Sequence, residues 1–134
     1  ARRYNPGARR RELRKGIMEL TISRLSNVPV LNIVGEIDHG NAPTVGATID
    51  ELIEQKQRTI LLDLSQVDYM DSGGISVLLS ALRRLREGGW LGVINPNANV
   101  RRLLQIVGLA LDASFRVFDS VEDAQAAVQT HARP

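Results

Sequence analysis

The 134-residue chain contains no cysteine. That excludes disulfides, thiolate nucleophiles and cysteine-based metal sites, and it fits a reducing compartment. Aromatic residues make up only 4%, so a core must rest on leucine, isoleucine and valine. Histidine occurs twice, at His39 and His131, which leaves few candidates for a general base. No apolar run approaches the roughly 20 residues that cross a bilayer. Nothing has the charged-then-apolar pattern of a signal peptide. The expectation is a soluble, cytoplasmic protein without membrane insertion.

Charge is unevenly spread. Residues 1–16 hold six arginines, Lys15 and one glutamate, a balance of +6, which leaves −4 for the rest of a chain whose total is +2. A basic tail of this kind can touch nucleic acid or an anionic membrane. A short charge run is more often simply solvated, so residues 1–16 are read as a basic N-terminal extension, disordered or introduced with the expressed sequence. No direct contact with nucleic acid is expected. Residues 17–134 are the right length for one domain with its own core.

Leu20 and Ile22 alternate with polar neighbours at strand spacing, and Asn27 with Pro29 suggests a turn. Val30 to Val34 reads as a more buried strand, ending in the loop-forming stretch from Gly35 to Pro43. Thr44 to Gln57 has helical spacing, with Val45, Ile49, Leu52 and Ile53 on one face. Ile60 to Leu64 is apolar at consecutive positions, as suits an interior strand covered on both sides. Ser65 to Met70 is read as a loop leading to Asp71-Ser72-Gly73-Gly74, where a second helix starts and carries Ile75, Leu78, Leu79, Leu82 and Leu85. Gly88-Gly89 ends it. A strand over Trp90 to Ile94 follows, then a helix capped by Asn99 and closed by Gly108, a short strand over Phe115 to Phe118, and a last helix to about Thr130 introduced by Ser120 and Asp123. Alternating strands and helices define an α/β class with a largely parallel or mixed sheet.

The junction at Asp71 to Gly74 invites several chemistries. Asp-Ser-Gly-Gly echoes a serine-protease nucleophile, but Met70 and Ile75 replace the flanking glycine and proline, and no oriented base is evident. A phosphate loop would need a following Gly-Lys-Ser/Thr. Asp38, Asp63, Asp68 and Asp71 raise a magnesium site or a phosphate receiver, yet Asn95 and Pro96 stand where a receiver wants lysine. These carboxylates read better as loop and cap residues. No catalytic set, cofactor or metal is expected. What remains is a helix start where Asp71 or Ser72 accepts hydrogen bonds from free N–H groups, a place where a phosphate is tolerated but would repel a closely packed partner.

The chain resembles a STAS domain, specifically the bacterial anti-sigma factor antagonists, over about Met18 to Val128. The resemblance is carried by Val34-Gly35-Glu36-Ile37-Asp38, by Ile60 to Ser65 leading to Tyr69-Met70-Asp71-Ser72-Gly73-Gly74-Ile75, and by Val100 to Leu104 through Gly108-Leu109. It implies a mixed, mostly parallel sheet of about five strands with helices packed largely on one face. It also implies a partner exchange: the antagonist binds an anti-sigma factor, often a GHKL-type serine kinase, and frees a sigma factor. Phosphorylation at the start of the second helix breaks that contact and a PP2C-type phosphatase restores it. The implied binding face comprises Gly35, Glu36, Asp38, His39, Asp71, Ser72, Gly73, Gly74 and Ser76. The family's phosphoacceptor falls on Gly73, which has no hydroxyl, so Ser72 becomes the candidate acceptor and Ser76 lies a turn further on. The alternative is a non-phosphorylated STAS scaffold or transporter-associated subunit in a multiprotein complex.

Overall fold

The computed structural model describes residues 18–131; the extension expected over residues 1–16 lies outside the described residues. The elements are β1 (Met18–Leu25), β2 (Val28–Ile37), α1 (Ala42–Glu54), β3 (Thr59–Met70), α2 (Ser72–Leu85), β4 (Trp90–Ile94), α3 (Ala98–Ile106), a 3-10 turn (Leu109–Leu111), β5 (Phe115–Phe118) and α4 (Val121–His131). The strands form one sheet in the order β1-β2-β3-β4-β5. β1 runs antiparallel to β2, and every other neighbouring pair is parallel. The sheet grows in one direction, so parallel crossovers of a single hand place their helices on one face. That explains the asymmetry of the layers: α1, α2 and α3 each connect two parallel strands, whereas α4 follows the last strand and is free to fold onto the opposite face.

Two apolar clusters follow from this arrangement. Leu31, Ile33, Ile60, Leu62, Leu64, Leu91 and Val93 meet Val45, Ile49 and Leu52 of α1, Leu78, Leu82 and Leu85 of α2, and Val100 and Leu104 of α3. On the other face Val30, Leu61, Trp90 and Ile94 meet Ala124 and Val128 of α4. Consecutive apolar residues in β3 and β4 are thus buried from both sides, as their composition requires. The Trp90 and Phe118 rings lie 5.9 Å apart at 58°, and the Arg116 guanidinium covers Trp90 at 4.8 Å.

Several local expectations are corrected. The largest is Ser65 to Met70, expected as a loop but found as the second half of a 12-residue strand. Its pairing with β2 steps from Asn32↔Asp63 to Val34↔Gln66, and again from Gly35↔Val67 to Glu36↔Tyr69. Each step inserts one extra β3 residue, so the buried positions Leu64, Val67 and Met70 recur every third residue rather than every second. Gly35, Glu36 and Ile37 likewise belong to β2 rather than to a loop. Gly35 sits at the second step with φ +114, a conformation that favours glycine. The β1–β2 turn falls on Ser26 and Asn27, both with positive φ, and Pro29 is inside β2. α1 starts at Ala42 and ends at Glu54, earlier at both ends than Thr44 to Gln57. α4 runs to His131, one residue beyond the expected end. The Ser120 hydroxyl accepts from Asp123 N at 3.0 Å, as the start of that helix required.

The cap of α3 is Asn97, not Asn99. Its Oδ1 accepts from Val100 N at 2.8 Å, while its Nδ2 donates to the Val67 and Asp68 carbonyls at 3.2 Å each. One side chain therefore caps a helix and covers β3 beyond the point where β4 stops pairing, at Asp63↔Ile94. Replacing Asn97 with alanine is expected to cost about 1–2 kcal/mol in urea unfolding. Aspartate, which keeps the acceptor but not the donors, should cost less than alanine; equal losses would show that the bonds to the β3 carbonyls, not the cap, carry the effect. At the far end of α2 the Arg58 guanidinium closes the helix by donating to the Arg84 and Glu87 carbonyls. Asp112 is held below its usual carboxylate range, first by the Ser114 backbone N–H and then by Arg86.

Candidate functional site

β2 and β3 end side by side, so the loop after β2 and the start of α2 meet at one corner of the sheet. Asp71 has extended backbone (φ −102, ψ −169) and caps α2, its Oδ1 accepting from Gly73 N at 2.7 Å. Its other oxygen, Oδ2, accepts from His39 N at 3.2 Å. Asp71 N in turn donates to the Ile37 carbonyl at 3.0 Å. One carboxylate thus holds both the first turn of the helix and the neighbouring loop.

The loop has its own bracing. Asp38 Oδ1 accepts from Gly40 N and Asn41 N at 2.9 and 3.0 Å. Asn41 Oδ1 accepts from Asp38 N at 2.9 Å, and Asn41 Nδ2 donates to the Glu36 carbonyl at 2.8 Å. Asn41 was not among the expected site residues. Its signal lay in the Asp-x-x-Asn spacing, which lets two short polar side chains bond each other's backbone. Tyr69 was also missed: it is exposed at the end of β3, where it pairs in register with Glu36.

The expected residues are brought together, but in different roles. Ser72 is exposed, and its Oγ lies 3.2 Å from His39 Nε2. The His39 side chain is 75% exposed, whereas Asp71 is only 20% exposed. Ser76 is exposed one turn along α2, and Gly35, Glu36 and Asp38 are half-buried. Gly73 and Gly74 are buried. A Cβ on Gly73 would stand 2.9 Å from His39 Cα and 3.0 Å from His39 N, both backbone atoms. The loop therefore rests directly on the helix start at a distance that only glycine permits. A Cβ on Gly74 would instead meet the Met70 and Ile37 side chains.

Serine, histidine and aspartate gather here without forming a catalytic relay. A relay needs the acid on one ring nitrogen and the hydroxyl on the other. Here Asp71 Oδ2 lies 4.0 Å from Nε2, the same nitrogen that meets Ser72. The chemistry this corner supports is hydrogen bonding and charge at a surface: an exposed hydroxyl, an exposed imidazole and a helix N-terminus whose dipole favours an anion.

A small mixed sheet with a braced loop-and-helix corner thus characterises the fold. The chain belongs to the STAS domain family, whose model matches residues 19–124. Among curated proteins it is 29% identical over 110 residues to the anti-sigma-F factor antagonist RsfB of Mycobacterium tuberculosis, covering 82% of this chain and 88% of that one. Among solved structures it is similar to an anti-sigma factor antagonist from Mycobacterium paratuberculosis, with a TM-score of 0.76 and 25% identity, covering 84% of this chain and 95% of the other. SpoIIAA in its unphosphorylated form matches with a TM-score of 0.73 and 25% identity, covering 84% and 97%. The phosphorylated form of SpoIIAA, a Bacillus cell fate determinant, matches at 0.67 and 25%, covering 82% and 99%. The five-stranded, mostly parallel sheet with its four helices thus matches the fold of these neighbours. Among the described residues no helix is long and apolar enough to cross a membrane.

Proposed function

We propose that this chain is an anti-sigma factor antagonist that binds an anti-sigma factor through the corner formed by residues 35–41 and 71–76, and so frees a sigma factor. The observation that carries the reading is the shared Asp71 carboxylate, which fixes the loop and the helix start as one surface. The names of the similar proteins support the function. The partner of this reading is a GHKL-type serine kinase, with a PP2C-type phosphatase as the reversing enzyme.

The family's acceptor position is Gly73, and Ser72 is the only hydroxyl in the first turn of α2. A phosphate on Ser72 Oγ would meet the helix N-terminus and the His39 imidazole favourably and the Asp71 carboxylate unfavourably. Its charge would then weaken a closely packed contact. The test is incubation with an anti-sigma factor kinase and ATP, mapping of any phosphate by mass spectrometry, and measurement of binding before and after. Phosphate on Ser72 with at least about tenfold weaker binding, lost in Ser72→Ala, supports a switched antagonist. Binding that persists with no phosphate incorporated supports an antagonist without this switch. Failure to bind any anti-sigma factor of the source cell would sink both.

A further inference from the structure

The large apolar side chains that remain exposed are not scattered evenly. Ile106, Val107 and Leu111 fall within six residues at the end of α3 and the following 3-10 turn, 73%, 42% and 90% exposed. Leu79 of α2 is exposed as well, and it shares a helix face with Arg83 and Arg86 at spacings of four and seven. Arg86 Nη2 bonds Asp112 Oδ2 at 2.8 Å, which brings that face of α2 beside the residue following Leu111. On α3, Arg102 stands one turn before Ile106 and is also exposed. Ile106, Val107 and Leu111 thus form an apolar patch at the end of α3 and the 3-10 turn, and the Arg86–Asp112 bond ties it to the α2 face that carries Leu79, with Arg83 and Arg102 on the same two helices. Burying their remaining exposed surface would be favourable, a gain left unrealised in the free chain.

Charge says what fits there. From Ser72 to Leu111 the chain has five arginines, no lysine and a single acid, Glu87, whereas residues 17–134 as a whole carry −4. Arg84, Arg86 and Arg101 are matched by Asp50, Asp112 and Asp119. Arg83 and Arg102 make no ion pair or side-chain hydrogen bond among the described residues. The chain's own first 16 residues carry +6 and would be repelled. A second copy docked face to face would set unmatched arginines against arginines.

We infer that the patch of Ile106, Val107 and Leu111, with the α2 face that carries Leu79, is a second docking surface, and that it takes an acidic amphipathic helix of another protein, its apolar side on the patch and its carboxylates on Arg83 and Arg102. α2 has 14 residues and rises about 1.5 Å per residue, so its far end lies about 20 Å from Ser72. The inference does not depend on the function proposed above.

The probe is a synthetic helical peptide of about 18 residues with leucine at the i, i+3, i+4, i+7 repeat and glutamate elsewhere. Its control has lysine in place of every glutamate. Titration into the full chain, followed by amide shifts, is expected to perturb residues 79–86 and 102–112 and to leave 38–41 and 71–73 unmoved. The acidic peptide should bind at least about tenfold more tightly than the lysine peptide. Ile106→Ser with Leu111→Ser should weaken binding by a similar factor at unchanged Tm, and Arg102→Glu should also weaken it. Equal binding of the two peptides, or no shifts in the patch, overturns the inference. So does a mass that doubles with concentration through these residues, which assigns the patch to a second copy. Preferential binding to phosphatidylglycerol-containing vesicles over the acidic peptide also overturns it, assigning the patch to a lipid surface.

Discussion

Alanine at position 73 is expected to destabilise the protein by about 1–3 kcal/mol, the cost typical of overpacking a closed site. The reason is the neighbour that a Cβ would meet: the backbone of His39 at 2.9 and 3.0 Å. Backbone pinned by the Asp71 carboxylate cannot swing aside as a flexible side chain would, so loop 38–41 must lift. Gly46 is the matched control. It is also a helical glycine, but a Cβ there would reach Val77 Cγ2 at 3.6 Å, an ordinary contact. Gly46→Ala should therefore be neutral or stabilising by up to about 1 kcal/mol, through helix propensity alone. Urea unfolding of both variants decides the matter, with amide shifts of residues 38–41 reporting the loop. A Gly73→Ala variant as stable as the parent, with an unmoved loop, would show that the corner yields more easily than its geometry implies. Gly73→Glu adds volume and charge at the same place. Its effect on a partner would be felt through the displaced loop as much as through direct contact, because position 73 itself is buried.

The second large effect is expected at Asp71. Replacing it with alanine removes a helix cap, typically worth about 1 kcal/mol and at most about 2. It also leaves His39 N without its acceptor, so a total near 2 kcal/mol is expected. Asparagine separates the two functions. Its single oxygen can serve Gly73 N or His39 N, but its amide group would present hydrogens to whichever N–H is left. Asp71→Asn should accordingly retain part of the stability and lose the bridge between loop and helix. Thermal unfolding measures the first, and hydrogen exchange at His39 and Gly73 the second. Equal protection at both amides in Asp71→Asn would refute the shared-carboxylate account. Partner binding should fall in both variants even where the fold persists, since the proposed surface needs loop and helix held in one arrangement.

Much of this architecture follows from local patterns. Apolar runs at Ile60 to Leu64 and Trp90 to Ile94 identify strands buried on both faces, helical spacing identifies α1, α2 and α3, and the capping pattern of Ser120 and Asp123 marks α4, because burial and backbone geometry impose the same patterns wherever they occur. Asp71 was visible as one of two candidate caps, beside Ser72. Three features were not, each for a physical reason. The second half of β3 looked like a loop because two bulges shift its buried residues to every third position, erasing the alternation by which strands are recognised. Asn97 rather than Asn99 caps α3, a choice made by the carbonyls of Val67 and Asp68 about thirty positions earlier in the chain. His39 lies on Gly73 because β2 and β3 are neighbours whose ends coincide, and a sequence holds no record of which loops share a corner. Residue order alone was thus enough to specify the order of the main strands and helices and the fold class. The packing of the sheet decided that Gly73 is covered by a loop and that Ser72 faces His39, since contacts between residues thirty or more apart depend on strand register and helix placement rather than on local preference.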